Sequence, residues 1–462
     1  MISREAQELS NSRLFGTSGI RGIVGHELTV DFCHEVARAT GTALNPHSNA
    51  CIATDTRVSR EIIKGAIASG LRTSGIDVTD LGVLPTPALA LVTRETGFDA
   101  GVMITASHNP PEYNGIKLFN GNSMAYSRAQ EEEIERIYSE KAFRTGYKGN
   151  LNLSQDAKER YFRFMLDRFP GASFNHNLRI VVDAGNGAAS GFAGELFSLL
   201  GINVVPINDE PDGLFPGRNP EPRKDTLEGT VEFTRQQNAD LAVCFDGDAD
   251  RVVFCDREGF LGFNELITLI SRFAVEKSQK RRVATTIETG RLLDLALGDL
   301  GVEVVRGRVG DANVAYLTRQ LDAAIGVEPV GVYIMPEAGY YPDSLFATLT
   351  LLSQIREVKE IRDAIREMPQ LFFSQRKLPC PNELKAVVIE KIENNGDFAG
   401  AGQLNNLDGL RFEFDDAWIL IRASGTEPLI RVSAESNSPP GTEALLDKGF
   451  HVVESILRRL KV

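Results

Sequence analysis

The stretch "RIVVDAGNGAASGFAGELFSLLGINVVPIN" (Arg179–Asn208) carries a complete structural plan. An apolar run, Ile180-Val181-Val182, reads as a buried strand. A polar, glycine-rich turn follows, then an apolar-periodic helix that stops at Gly201 before a new strand, Ile-Asn-Val. A glycine there fits the left-handed residue just past a helix. The plan recurs in "CIATDTRVSREIIKGAIASGLRTSGIDVTDLG" (Cys51–Gly82), with Gly75 as the stop. It recurs again in "RVATTIETGRLLDLALGDLGVEVVRGRVGD" (Arg282–Asp311), with Gly301. Strand–helix–strand units of this length predict βαβ crossovers and parallel or mixed sheets. Three of them, at intervals of roughly 100 residues, predict three related α/β domains.

The expected boundaries follow from the segments between these units. The polar stretch "SRAQEEEIERIYSEKAFRTGYKGN" closes a first domain, residues 1–150. A second runs over 151–258 and a third over 259–371. The last segment, 372–462, differs: "DGLRFEFDDAWILIRASGTEPLIRVSAES" predicts successive strands turning at Asp415-Asp416 and Ser424-Gly425, and a terminal helix follows. The fold class is therefore α/β, with three related mixed domains and a smaller C-terminal α+β domain.

Composition narrows the function. The chain has 462 residues, 42% of them apolar, enough for several real cores. Its formal net charge of −13 argues against a general nucleic-acid or anionic-membrane partner. The five cysteines are scattered and form no CxxC, so neither a disulfide framework nor a cysteine–zinc site is expected. The first residues lack the apolar core of a signal peptide, and no apolar run reaches 18 residues. A reducing cytoplasm is the expected location.

Four loops carry unusual chemistry. In "GVMITASHNPPEYNGIKLF" (Gly101–Phe119) a strand ends in Ser107 and His108, with Lys117 beyond. The pair suits covalent chemistry on Ser107 or is an ordinary polar turn. In "FDGDADRVVF" (Phe245–Phe254) Asp246, Asp248 and Asp250 alternate with small residues between apolar strands. Carboxylates so close repel one another unless a cation sits among them, and oxygen ligands suit Mg²⁺ or Ca²⁺. The loop is not an EF-hand, because Arg257 stands at the twelfth position. Arg251 is a surface charge or reaches a phosphate beside the cation. In "RASGTEPLIR" (Arg422–Arg431) the turn Ser424-Gly425-Thr426 can aim backbone N–H groups at an anion, flanked by Arg422 and Arg431. "LFGTSGIRG" (Leu14–Gly22) ends in Arg21 and has the parts of an anion loop without the P-loop pattern. "DAGNGAAS" (Asp183–Ser190) lacks a GxGxxG dinucleotide fingerprint and reads as a helix-entry turn. A serine, a cation site, arginine clamps and an acid/base group together meet the needs of phosphoryl transfer through a phosphoserine.

The strings "TASHNPPEYNGIK", "FDGDADR", "GTSGIRG" and "RASGTEP" resemble the signature loops of the α-D-phosphohexomutases, in that family's order along nearly the whole chain. The resemblance implies four domains around one cleft and interconversion of hexose 1- and 6-phosphates, by transfer from phospho-Ser107 through a hexose 1,6-bisphosphate. It implies Mg²⁺ held by Asp246, Asp248, Asp250 and a phosphate oxygen on Ser107. Arg21, His108, Lys117 and Arg251 become positioning or acid/base groups. Arg422, Ser424, Gly425, Thr426 and Arg431 become the grip on the phosphate that does not react. A sugar loop is implied at "GVEPVGVYIMPEAGYYPDSL" (Gly326–Leu345), where Glu328 and Gly331 match. Val330 and Ser344 depart from the family pattern and put the sugar's identity in question. The competing readings are a sugar-phosphate phosphatase using the same serine, and a non-catalytic sugar-phosphate binding protein. A phosphosugar is the expected partner.

Overall fold

The computed structural model describes residues 13–146, 148–171, 174–395, 398, 400–425 and 427–460. The three predicted units are built alike. In the first sheet, Asp77–Val83, Asn49–Thr54 and Ala100–Ile104 lie parallel, and Tyr113–Asn120 returns antiparallel beside the last. The second sheet repeats this with Asn203–Ile207, Arg179–Asp183, Leu241–Phe245 and the returning Val252–Asp256. The third repeats it with Glu303–Gly307, Arg282–Thr286, Ile325–Glu328 and the returning Val332–Ile334. Each sheet is mixed because its last step is a hairpin, which needs no crossover.

The three helix-stop glycines behave as their sequence context predicts. Gly75, Gly201 and Gly301 have φ of 80°, 78° and 62°, a region that costs a side chain energy and costs glycine little. The first sheet extends at both edges: Ile20–Ile23 pairs antiparallel with Tyr113–Asn120, and Leu151–Leu153 pairs with Asp77–Val83 just past position 150. The C-terminal segment forms a five-stranded antiparallel sheet with Phe372–Pro379 at one edge and Gln403–Asn405 at the other. Helices Asn382–Asn395 and Pro439–Arg459 pack on it.

One apolar core runs through all three α/β units, from Met103 and Phe119 through Phe192 and Phe245 to Phe346. Shared burial of this kind fixes the units against one another. The C-terminal domain meets the third unit through Ile287, Trp418 and Leu420. There the fully buried Arg411 donates from Nη1 to the carbonyls of Ile287 (2.6 Å) and Thr289 (2.7 Å), with its guanidinium 4.0 Å from the Trp418 ring centre.

The repeated hairpin positions the chemistry. Its connecting loop is residues 105–112 in the first unit, 246–251 in the second and 329–331 in the third. These are the serine loop, the aspartate loop and the expected sugar loop.

Candidate active site

The serine and aspartate loops meet face to face. Ser107 is fully buried and has φ of 51°, a left-handed conformation that is strained for a residue with a Cβ. Its Oγ donates to Asp246 Oδ2 at 2.6 Å, and His108 Nδ1 lies 3.3 Å from that Ser107 Oγ. Gly247 permits the approach: a Cβ on it would stand 2.4 Å from the Ser107 carbonyl oxygen.

Lys117 projects from the returning strand of the first hairpin. Its ammonium donates to Asp248 Oδ2 and to Asp250 Oδ2, each at 2.6 Å. Thr86 Oγ1 also donates to Asp248 Oδ2, at 2.6 Å. Arg21, on the edge strand, donates to Asn109 Oδ1 at 2.8 Å. The Arg251 backbone N–H donates to Asp246 Oδ1 at 3.1 Å, and its Nε lies 4.0 Å from Asp250 Oδ1. Ser107, His108, Lys117, Arg21, Arg251 and the three aspartates thus form one cluster.

Burial and mutual repulsion set its charge state. Burial, followed by the neighbouring Asp250 and Asp248, pushes the Asp246 carboxyl well above its usual range. Burial is the largest influence on Asp248 and opposes its ionisation, but Lys117, Thr86 and Arg21 together outweigh it and hold that carboxyl below its usual range. Burial, then Arg251 and Arg21, pushes the His108 imidazole down to about 2, so it is neutral at physiological pH. One carboxylate oxygen from each aspartate lies within 4.8 Å of the others. Asp248 Oδ1 and Asp250 Oδ1 are buried and have no hydrogen-bond partner. Unpartnered buried oxygens are costly, and this set of carboxylate oxygens could hold a hard divalent cation.

The third unit adds Glu328, which is buried and accepts from the Gly310 N–H at 2.9 Å. Burial and then the nearby Asp311 raise its carboxyl to about 7. The other residues of this segment divide between surface and joint. Val330 is 40% exposed, so it is not a packing residue. Ser344 is fully buried and its Oγ donates to the Ala249 carbonyl at 2.6 Å, which ties the aspartate loop to the third unit. Gly331 has φ of 83°, and its carbonyl accepts from the Val252 N–H at 3.0 Å. A Cβ there would stand 2.4 Å from the Val252 oxygen, so this backbone joint accounts for the glycine.

The C-terminal hairpin forms a second cluster. Arg422 and Arg431 sit opposite each other on paired strands. Arg422 bonds Glu288 of the third unit at 3.0 Å and lies 3.2 Å from Asp408. Arg431 bonds Glu427 at 2.8 Å. Ser424 is buried, and its Oγ accepts from the Glu427 N–H at 3.1 Å. Gly425 is exposed at the tip, and Thr426 lies outside the described residues. Lys385, which carries no motif, donates to the carbonyls of Ser424 (2.6 Å) and Glu427 (2.5 Å) and braces the turn.

Comparison with known proteins finds four successive matches along the chain. Residues 12–145, 159–259 and 263–372 match, in order, the phosphoglucomutase/phosphomannomutase alpha/beta/alpha domains I, II and III, and 377–449 match that family's C-terminal domain. A Pyrococcus abyssi protein named "Probable phosphoglucosamine mutase" is 38% identical over 452 residues, covering 97% of this chain and 99% of its own. A Methanopyrus kandleri protein of the same name is 37% identical over 453 residues, with the same coverage. Among solved structures, a phosphoglucomutase/phosphomannomutase family protein from Burkholderia thailandensis superposes with a TM-score of 0.86 at 25% identity, covering 98% of both chains. The Paramecium phosphoglucomutase parafusin, in an open form, superposes with a TM-score of 0.78 at 17% identity, covering 96% of this chain and 95% of its own, a likeness of fold. With all four domains matched in order, the chain belongs to the α-D-phosphohexomutase family, isomerases that act as intramolecular phosphotransferases.

Proposed function

We propose that this phosphohexomutase works through a phosphoserine at Ser107 and takes a hexosamine phosphate, glucosamine 1- and 6-phosphate, as its preferred pair. The observation that carries the mechanism is the 2.6 Å bond from Ser107 Oγ to Asp246, inside a triad with two unpartnered buried oxygens. The relatives named as phosphoglucosamine mutases support the substrate.

In the forward direction, the Oγ–phosphorus bond of phospho-Ser107 breaks as a bond forms from phosphorus to the free sugar hydroxyl oxygen. The hydroxyl proton leaves to a nearby base, and the Ser107 Oγ that loses phosphorus takes up a proton, ending as the hydroxyl that donates to Asp246. His108, neutral and 3.3 Å from Ser107 Oγ, is a positioning group beside the transferring phosphate rather than a strong base. The resulting hexose 1,6-bisphosphate turns over in the cleft, and its other phosphoryl group returns to Ser107. Arg21, Arg251 and Lys117 line the transfer site with positive charge, which favours the phosphoryl oxygens. Asp246, Asp248 and Asp250, with a phosphate oxygen on Ser107, would hold Mg²⁺, which when bound spreads the charge of the transferring group. Glu328 orients the sugar hydroxyls. Ser424, Gly425, Thr426, Arg422 and Arg431 grip the phosphate that does not react, and binding energy from that remote end holds the intermediate.

We also infer a reducing, cytoplasmic setting. All five cysteines are buried and unpaired, and no helix among the described residues is long and apolar enough to cross a membrane.

The test is a panel of glucosamine, glucose and mannose phosphates, assayed with Mg²⁺ and a catalytic amount of bisphosphate. Label from the bisphosphate should appear on Ser107, and glucosamine phosphate should give the highest kcat/KM. Steady release of inorganic phosphate without isomerisation would replace the mutase by a phosphatase.

A further inference from the structure

A second set of residues shapes the serine loop without touching the reacting atoms. Arg57 belongs to the turn between the strand Asn49–Thr54 and the following helix, Arg60–Thr73, and is fully buried. Its Nη1 donates to the carbonyls of Pro110 (2.6 Å) and Tyr113 (2.9 Å). Its Nη2 donates to the carbonyls of Ser107 (2.9 Å) and Asn109 (2.6 Å). Its Nε donates to Asp55 Oδ2 at 3.0 Å. A guanidinium has five N–H donors, and all five are engaged here.

Four of those acceptors are main-chain carbonyls of a single loop, residues 107–113. Carbonyl oxygens that converge repel one another, so the loop would splay without a cation at its centre. Asp55 closes the arrangement. Its Oδ1 accepts from the Arg57 N–H at 3.0 Å, and its Oδ2 accepts from Thr105 Oγ1 at 2.6 Å. Thr105 Oγ1 in turn accepts from the Ser107 N–H at 2.8 Å. Both the N–H and the C=O of Ser107 are thereby fixed from the same side, which holds its left-handed φ. The buried ring of Phe215, from the second unit, roofs the guanidinium with its centre 5.1 Å away. The loop's shape therefore depends on the second unit as well as the first.

We propose that Arg57 is a positioning residue for phosphoryl transfer, its guanidinium fixing the loop that aims Ser107 Oγ at the aspartate triad. The proposal rests on Ser107 being the phosphate carrier. A misplacement of about 1 Å at a reacting centre costs roughly a hundredfold in rate. Lysine in place of Arg57 keeps the charge beside Asp55, but its single nitrogen cannot span four carbonyls and a carboxylate.

The experiment uses full-length Arg57→Lys, Phe215→Ala and Ser107→Ala. It measures thermal melting, kcat and KM for the sugar phosphate, and the single-turnover rate of label transfer from glucose 1,6-bisphosphate to the protein. Folded Arg57→Lys should lose about a hundredfold in kcat and in labelling rate while KM stays within about threefold. A purely structural arginine would leave kcat per folded molecule unchanged. A folded Arg57→Lys with kcat within threefold of wild type, or with KM rising in step with the loss, overturns the proposal. Where Arg57→Lys does not fold, Phe215→Ala decides. A loss of about fivefold in kcat at constant KM supports positioning, and unchanged kcat refutes it. Ser107→Ala separates the two readings: if it stays active and unlabelled, the phosphoserine reading itself fails. If it is inactive while Arg57→Lys is normal, only the role of Arg57 fails.

Discussion

On the proposed function the serine–aspartate cluster and the C-terminal hairpin both handle phosphate, yet they are built on opposite plans. In the first, Ser107 and all three aspartates are buried, and each is tied to a neighbour within the cluster. In the second, the side chains of Arg422 and Arg431 retain 12% and 28% of their accessibility, and each is paired with a partly exposed carboxylate. The Arg431–Glu427 pair, at 28% and 44% side-chain accessibility, is the more exposed and so the weaker, and an incoming phosphate would displace Glu427 at little cost. Buried networks are strong and geometrically strict. Chemistry needs reacting atoms held to a fraction of an ångström, whereas recognition of a phosphate that must reverse its orientation needs partners that exchange. The two plans fit the two tasks that the proposed function gives them.

The sharpest way to break this contrast is at Ser107. Ser107→Ala should reduce turnover by about 10³-fold or more while the protein stays folded, since the lost hydroxyl is one bond of a buried network and costs on the order of 1–3 kcal/mol. Steady-state isomerisation together with calorimetry checks it, and turnover above a tenth of wild type would show that phosphate travels by another group. The hairpin should fail in a different parameter. Arg431→Ala removes one charged hydrogen-bonding arm, so KM should rise roughly tenfold to thirtyfold while kcat moves less than threefold. Equal losses in both would mean that the two clusters are coupled more tightly than their separate bonding implies.

Glu328 tests the buried plan through pH. Its carboxyl is raised from 4.5 to about 7, by burial first and by Asp311 second. The folded state therefore holds a proton that the unfolded state releases between those values. Its contribution to stability is fully present below about pH 4.5 and is lost as pH rises through about 7. Glu328→Gln cannot titrate. The unfolding free energy of wild type relative to this variant should fall between pH 5 and pH 7.5, by on the order of 3 kcal/mol at most, read from denaturation curves across that range. Parallel curves across that range would mean that Glu328 is already ionised in the folded protein.

Much of this was legible in the sequence because the chemistry is concentrated in short strings. Three aspartates in five residues, or a serine beside a histidine at a strand end, stand out from ordinary loops. The helix-stop glycines 75, 201 and 301 stood out for the same reason, since each marks a backbone geometry that other residues resist. Arg57, Thr86 and Lys385 were missed because their work is done on main-chain carbonyls or on residues more than 30 positions away. A lone arginine in "TDTRVS" gives no sign that four carbonyls of another loop converge on it. The edge strand Gln403–Asn405 and the helix Asn382–Asn395 carry weak periodicity and were not foreseen. Ser344 read as a change in the sugar loop, because adjacency along the chain suggested it. Its hydroxyl instead points across the domain joint to Ala249.

The smallest expected effect is at Glu427, and it tests directly whether the hairpin's ion pairs are made to exchange. Glu427 Oε2 accepts from Arg431 Nη2 at 2.8 Å, and Lys377 lies 4.0 Å from its other oxygen. Arg431 lowers the Glu427 carboxyl below its usual range, with Lys377 second, so the residue is charged at neutral pH. A substrate phosphate must compete with that charge for the same guanidinium. Glu427→Gln keeps the shape and an acceptor oxygen but removes the competing charge. KM for the sugar phosphate should therefore fall by about threefold at low ionic strength, with kcat unchanged, because the bond being weakened is exposed. Salt screens exposed charges within roughly 10 Å at 0.1 M and 3 Å at 1 M, so the advantage should disappear as ionic strength rises. A variant whose KM instead rises at every salt concentration would mean that Glu427 braces Arg431 in its binding pose, and that the hairpin is as rigidly organised as the serine–aspartate cluster.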